Sequence, residues 1–249
     1  MQLQLSTWPE IEAYLGRSRA ILIPIGSTEQ HGPNGLLGTD ALCPEIISRR
    51  VGDEAGILVG PTFNVGQAQH HMAFPGTITL RPSTMIAAMM DWSQSLVRHG
   101  FERIYWLNGH GGNIATITAA FSEMYHGITF AGAGSNRNAL RCHLRNWWEL
   151  PGVMDLCRQL FPVGEGSHAT PSEVSVTWFG YPDAQKHVSM SPRIAPNGPI
   201  LDAEDYRRRF PDGRIGSDPS QASVSAGEKI VATAVKGVIA EFKQFAEVA

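Results

Sequence analysis

Residues 21–40, ILIPIGSTEQHGPNGLLGTD, place the tightest limit on what this chain can become. The first five are almost wholly apolar and β-prone, the pattern of a strand buried on both faces, which belongs to a parallel sheet with helices on either side. Gly26 ends the strand. Glu29, His31 and Asp40 follow among Gly32, Pro33, Gly35 and Gly38, in a segment too rich in breakers to be helix or strand. Open α/β sheets bind ligands beyond the carboxyl ends of their strands, and two carboxylates with an imidazole at such a place suit a divalent cation. Each residue also has an ordinary reading: Glu29 as a surface charge, His31 as a turn residue bonded to backbone, Asp40 as the N-cap of a helix starting at Ala41. Three such donors in one loop that bends around a point favour the cation.

The rest of the chain sets the frame. Its 249 residues suit one α/β domain spanning 1–249, and no composition shift marks a second. With 43% hydrophobic and 17% charged residues and a net charge of −3, nucleic acid is not the expected partner; a small molecule is. No stretch reaches the roughly 18 apolar residues of a spanning helix, and the first residues carry no basic segment followed by an apolar run. The expected location is the cytoplasm, with no membrane partner. Cys43, Cys142 and Cys157, odd in number and without CxxC spacing, read as buried thiols of a reducing compartment.

Taken in order, residues 7–15 read as a short helix capped by Ser6 or Thr7, residues 44–51 as a helix crossing the sheet, and residues 57–59 as a second buried strand closed by Gly60-Pro61. The segment 64–80 carries His70-His71, either lining a pocket or on the surface, and ends in a short alternating strand. Ser83 or Thr84 is the expected cap of a helix to His99, with its apolar stripe facing the core. Residues 103–107 form the third strand, leading into Asn108-Gly109-His110-Gly111-Gly112-Asn113. A phosphate loop is disfavoured there, since neither GxGxxG nor GxxxxGK[ST] is present and no Lys or Arg accompanies it. His110 reads better as a metal ligand given close approach by small neighbours, with a neutral His bonded to a carbonyl as the alternative. Asn113 caps the next helix, 114–124, and residues 128–131 read as a fourth strand before the Gly/Ser/Asn stretch 132–138. Trp147 and Trp148 read as core. Residues 180–219 cross the surface, with Arg207, Arg208 and Arg209 solvated, and residues 224–248 form a long amphipathic helix.

With these residues in view, the chain resembles the creatininase family of metal-dependent amidohydrolases. The likeness is carried by IPIGSTEQHGPNGLLGTD, beside the family's G-S-x-E-Q-H-G-P-x-x-P-x-x-T-D, by FPGT, by NGHGGN, and in looser form by residues 168–175. The resemblance implies a three-layer α/β/α fold with a mixed, mostly parallel sheet. It also implies a site for two divalent metal ions, Zn first with Mn or Fe as alternatives, hydrolysis of amide-type C–N bonds, and a homo-oligomer such as a hexamer. Its metal ligands map onto Glu29, His31, Asp40 and His110, with Asp40 bridging both ions. Creatininases carry a Tyr and a metal-binding Glu in the segment of Gly111 and Gly112, and an aromatic at Gly164, so creatinine itself is not the expected substrate. The family's HAGExETS is here HATPSEVS.

Two cations sharing Asp40 and a water would bring that water's pKa from 15.7 toward about 7, giving a hydroxide nucleophile at neutral pH. His168 is the expected proton shuttle to the leaving nitrogen; its ordinary reading is a His bonded near a helix start. The ligand missing at Gly112 is assigned to Glu173, with Glu165 in reserve. A capping box competes for Glu173: Thr170 as cap, Pro171 at the first helical position, Glu173 reaching back. The expected function is hydrolysis of a cyclic amide, a formamide or a small peptide-like substrate. The rivals are a hydrolase of a cyclitol or sugar-derived carbonyl compound using the same site, and a metal-binding protein without turnover.

Overall fold

A computed structural model describes residues 1–130 and 140–247. Among these residues three strands form a parallel sheet in the order β1 (Ala20–Ile25), β2 (Arg103–Asn108), β3 (Arg141–Asn146). Every side chain of β1 is buried, as its unbroken apolar run requires. Successive side chains alternate between two cores. Ala20, Leu22, Tyr105 and Leu107 face one that also contains residues of α2 (Thr39–Ala55), α5 (Val153–Leu160), α6 (Pro171–Gly180) and α8 (Val224–Glu247). Ile21, Ile23, Ile25, Ile104 and Trp106 face the other, built with α1 (Trp8–Leu15), α3 (Pro82–Arg98) and α4 (Ile114–Phe130). This is the α/β/α layering expected, and the named strands are all parallel. No helix among the described residues is long and apolar enough to cross a membrane.

Several local expectations change. Helix α2 begins at Thr39, so Asp40 is neither loop nor cap but sits in the first turn; Gly38 is the N-cap. The helix is therefore longer than the expected 44–51, and Pro44 lies inside it. Residues 57–59 make only isolated bridges, Val59 with Leu22 and with Gln2, followed by Phe63 with Ile25, so the chain runs beside β1 without forming a ladder through Gly60-Pro61. The alternating strand near residue 78 is likewise a single antiparallel bridge, Thr28 with Ile78. Arg81, not Ser83 or Thr84, precedes α3, which starts on Pro82.

Helix α4 runs on to Phe130, so residues 128–130 are helical rather than a fourth strand. Ala131 and the stretch 132–138 lie outside the described residues. The third sheet strand is β3, whose sequence RCHLRN is too polar to announce itself. It is half-exposed, and Arg145 pairs with Glu241 of α8 at 2.7 Å. Asn113 does not cap α4 but ties loops together, accepting from Gln67 N at 2.9 Å and donating to Gly26 O at 2.9 Å. In the stretch 180–219, α7 (Ala203–Arg209) forms; Arg208 and Arg209 pair with Asp205, and Arg207 lies over the Phe74 ring.

Candidate metal centre

The carboxyl ends of β1 and β2 lie in register, Ile25 opposite Asn108, and the loops leaving them carry Glu29, His31 and His110 to one place. Asp40 joins them from the first turn of α2. A Cβ at Gly26 would stand 2.1 Å from Asp40 O, and one at Gly109 would stand 1.9 Å from it, so glycine at both strand ends is what admits the helix start.

Each histidine commits one nitrogen to a backbone carbonyl. His31 Nδ1 donates to Glu29 O at 3.1 Å, His110 Nε2 to Gln67 O at 2.8 Å, and His168 Nε2 to Gln30 O at 2.8 Å. A carbonyl only accepts, so the opposite nitrogen keeps its lone pair whenever the ring is neutral. These second nitrogens face carboxylates. His31 Nε2 is 3.0 Å from Asp40 Oδ1 and 4.0 Å from Glu173 Oε1; His110 Nδ1 is 2.7 Å from Asp40 Oδ2; His168 Nδ1 is 4.0 Å from Glu29 Oε1. Three donor groups result, each with ligand atoms mutually within 4.8 Å: Glu29, Asp40 and His110; His31, Asp40 and Glu173; Glu29, His31 and His168. Asp40 is common to the first two.

The electrostatics fit a cation. Glu29, His31 and Asp40 are buried, and no Lys or Arg is among the described residues that line the adjoining cavity of about 480 Å³. Glu29 Oε1 and Asp40 Oδ2 lack a well-angled hydrogen-bond donor. Buried carboxylates with so little compensation are costly, and a divalent ion is the compensation these donor types accept. Without an ion, protons serve instead. Burial pushes the Glu29 carboxyl up to about 8, the Asp40 charge adding to it and the His110 charge opposing it. Burial also pulls His31 and His110 down, but the surrounding carboxylates, Asp40 foremost for His31 and Glu29 for His110, overcome it and hold them up at about 10 and about 9. The two imidazolium charges keep Asp40 well below the usual carboxylate range against the pull of burial.

A pH dependence follows. Ligating imidazoles and carboxylates must shed their protons, so at pH 7 a cation displaces them from Glu29, His31 and His110, and affinity rises with pH until all three are deprotonated near pH 9 to 10. Zinc titration calorimetry in buffers of different ionisation enthalpy is expected to read about three protons released per chain at pH 7, from Glu29, His31 and His110. Binding heats independent of the buffer would contradict it.

Glu173 forms the expected capping box and also stands beside the donors. Its amide donates to Thr170 Oγ1 at 3.2 Å and its Oε1 accepts from Thr170 N, the capping box that the sequence spells, while the same Oε1 faces His31. Glu165 belongs to none of the donor groups among the described residues; its Oε1 accepts the Ser172 hydroxyl. At Gly112 a Cβ would meet His110 Nε2 at 2.4 Å and Gln67 O at 2.8 Å. A ligand side chain there is incompatible with the bond between His110 and Gln67.

Around the donors the cavity is walled by Trp147, Trp148, Met154, Ile200 and Tyr206. Trp147 is core as expected, whereas Trp148 is only partly buried and both indoles border the cavity. His70 and His71 also line it, and His71 Nε2 stands 2.9 Å from Glu29 Oε1. Sequence reasoning missed this contact and the part of Tyr206; the one available signal was the position of Gln30 between two donors.

Residues 4–242 match the family described as creatininase, creatinine amidohydrolase. Creatinine amidohydrolase of Pseudomonas putida is 27% identical over 245 residues, covering 93% of this chain and 92% of its own. The mycofactocin precursor peptide peptidase of Mycolicibacterium smegmatis is 25% identical over 231 residues, covering 90% and 85%. A solved creatininase variant described as Zn-Zn type superposes with a TM-score of 0.83 at 25% identity, covering 99% of this chain and 98% of its own.

Proposed function

The chain belongs to the creatininase family of amidohydrolases, and on that premise we propose that it is a two-metal hydrolase of cyclic amides, formamides or small peptide-like amides. The observation that carries this reading is the pair of donor groups joined at Asp40. Glu29, Asp40 and His110 would hold one ion, and His31, Asp40 and Glu173 the other. Mixed nitrogen and oxygen donors suit Zn²⁺ first, with Mn²⁺ or Fe²⁺ as alternatives. When bound, such ions supply Lewis-acid polarisation of a carbonyl and acidify water.

The protein's own groups do the rest. His168 borders the cavity with Nδ1 free. Burial first, and then the charge of His31, hold it well below 6.5, so it is neutral at pH 7. It can therefore accept the proton released as water adds to the amide carbonyl and return it to the departing nitrogen as the C–N bond breaks. The indoles of Trp147 and Trp148, with Met154 and Ile200, offer apolar walls that hold the substrate and exclude bulk water. Family membership also supports a homo-oligomer, a hexamer, and exposed Leu5, Trp8 and Leu201, each 77% accessible, suit such contacts. Three free cysteines suit the cytoplasm.

The test is elemental analysis of purified protein followed by a hydrolysis screen across lactams, formamides, dipeptides and small cyclic ketones. Two ions per chain and turnover of an amide are expected; one ion or none, unchanged by added Zn²⁺ or Mn²⁺, would refute the two-metal reading. Turnover confined to the ketones would refute the amide assignment. Within this reading Glu173→Gln is expected to lose the ion of the His31 group, while stability falls by only about a few tenths of a kcal/mol because Gln also serves a capping box. Full occupancy in that variant, by the same elemental analysis, would leave Glu173 a cap only.

A further inference from the structure

Gln30 lies between the donors Glu29 and His31, and its carboxamide is oriented by its partners. Oε1 lies 2.9 Å from the Gly32 N–H, which can only donate, so the NH₂ points the other way. There the nitrogen stands 3.0 Å from His71 Nδ1, 3.0 Å from His168 Nε2, 3.1 Å from the Tyr206 hydroxyl and 3.0 Å from the Gly213 carbonyl. An amide nitrogen has two hydrogens to give and accepts none. His168 Nε2 already donates to Gln30 O, so it is not an acceptor for the amide. Tyr206 in turn donates to Gly213 O at 2.8 Å. Tyr206 Oη, Gly213 O and His71 Nδ1 share these two hydrogens, and a proton on His71 Nδ1 would point at a nitrogen that accepts nothing, so the neutral ring turns its Nδ1 lone pair to the NH₂ and carries its proton on Nε2. That nitrogen is the one 2.9 Å from Glu29 Oε1.

The ring has little freedom to do otherwise. His71 is buried, with the rings of His70, His168 and Tyr206 at 4.2, 4.6 and 4.8 Å. Glu29 Oε2 takes the Ser27 hydroxyl at 2.8 Å and has His110 Nε2 at 3.3 Å, whereas Oε1 makes no well-angled hydrogen bond and its nearest polar neighbour is His71 Nε2, at 2.9 Å. His71 stands outside all three donor groups. We propose that His71 is a positioning residue: its Nε2–H, aimed by Gln30, holds the Glu29 carboxylate in the orientation that lets Glu29, Asp40 and His110 take a cation. This rests on the reading of the site as a metal centre. Without His71, Oε1 loses its nearest polar neighbour and the carboxylate is held from the Oε2 side alone, by the Ser27 hydroxyl and the His110 Nε2 contact, so it can turn about its last torsion. Outer partners that orient metal ligands are typically worth 10–100-fold in metal affinity.

The experiment is Zn²⁺ titration against a competing chromophoric chelator, using metal-stripped wild type, His71→Ala, His71→Gln and Gln30→Glu. Long-range ¹H–¹⁵N spectra of the wild-type imidazoles, with and without Zn²⁺, accompany it. Wild type is expected to take two ions. His71→Ala keeps one at wild-type affinity and binds the other about 10–100-fold more weakly, and His71→Gln, whose amide can still donate to Glu29, recovers most of that loss. Gln30→Glu turns the group facing Nδ1 from donor to acceptor, so it reproduces the weakening with the ring in place, even if the alanine variant fails to fold. The spectra should show His71 protonated on Nε2 and free of direct metal ligation. Two ions bound by His71→Ala as tightly as by wild type, or a His71 protonated on Nδ1, would overturn this proposal alone. A wild type that takes no second Zn²⁺ would overturn the metal reading as well.

Discussion

Asp40→Asn is expected to strip both cations from the protein and to lower kcat/KM on any amide it hydrolyses by about 10⁴-fold or more, since the acidification of water from pKa 15.7 to about 7 goes with the ions. The reason is the sharing. Oδ1 faces His31 and Oδ2 faces His110, so one side chain is a member of both donor groups. An asparagine of the same size removes a charge from each group and puts an NH₂ where one of them needs a lone pair. The helix itself should survive, because α2 begins at Thr39 and packs its buried Ile46, Ile47 and Val51 against the sheet with no part for the Asp40 charge. Elemental analysis beside circular dichroism checks both halves. A folded variant that keeps either ion at wild-type occupancy would break the argument for a bridging carboxylate.

His168→Ala is expected to behave in the opposite way, retaining two ions while kcat falls about 10²–10⁴-fold, the usual contribution of a general acid–base group. His168 can be grouped with Glu29 and His31, so its geometry admits a ligand role too. Its Nδ1 is nevertheless 4.0 Å from Glu29, farther than the contacts of His31 and His110 with Asp40. Metal analysis and kinetics on the same preparation separate the roles: loss of an ion would make it a ligand, and wild-type turnover would leave it without a part in the chemistry.

How legible the molecule was depended on whether a feature was local. The buried run of β1, the breakers after it and the glycine turn around His110 announce donors at strand ends from neighbouring residues alone. The capping box at Thr170 is equally local, and it forms as written. Strand β3 is different. Arg141, His143 and Arg145 give it no apolar period, because it is a half-exposed strand that owes its conformation to the ladder with β2 and its charge pairing to Glu241, 96 residues away. In α4, Ile128, Thr129 and Phe130 favour a strand by propensity, yet the helix that precedes them continues through them. The bond from Gln30 to Tyr206 joins residues 176 apart, and that from Gln30 to His71 joins residues 41 apart. No window along the chain contains either.

The sequence by itself therefore determined which donors exist and that they follow buried strands: Glu29, His31, Asp40 and His110 are set by residue type and by the breakers beside them. Only the tertiary structure decided how they combine. Gly26 and Gly109, 83 residues apart, each leave room for the Asp40 backbone, and that shared approach lets one carboxylate reach His31 with one oxygen and His110 with the other. The loop at Gln67 fixes the His110 ring and crowds any side chain at position 112, and the further carboxylate facing His31 is Glu173, in the capping box of α6. Donor identity is a property of single residues, whereas the bridging of two groups by one side chain is a distance between three segments, and distances of that kind are set by packing.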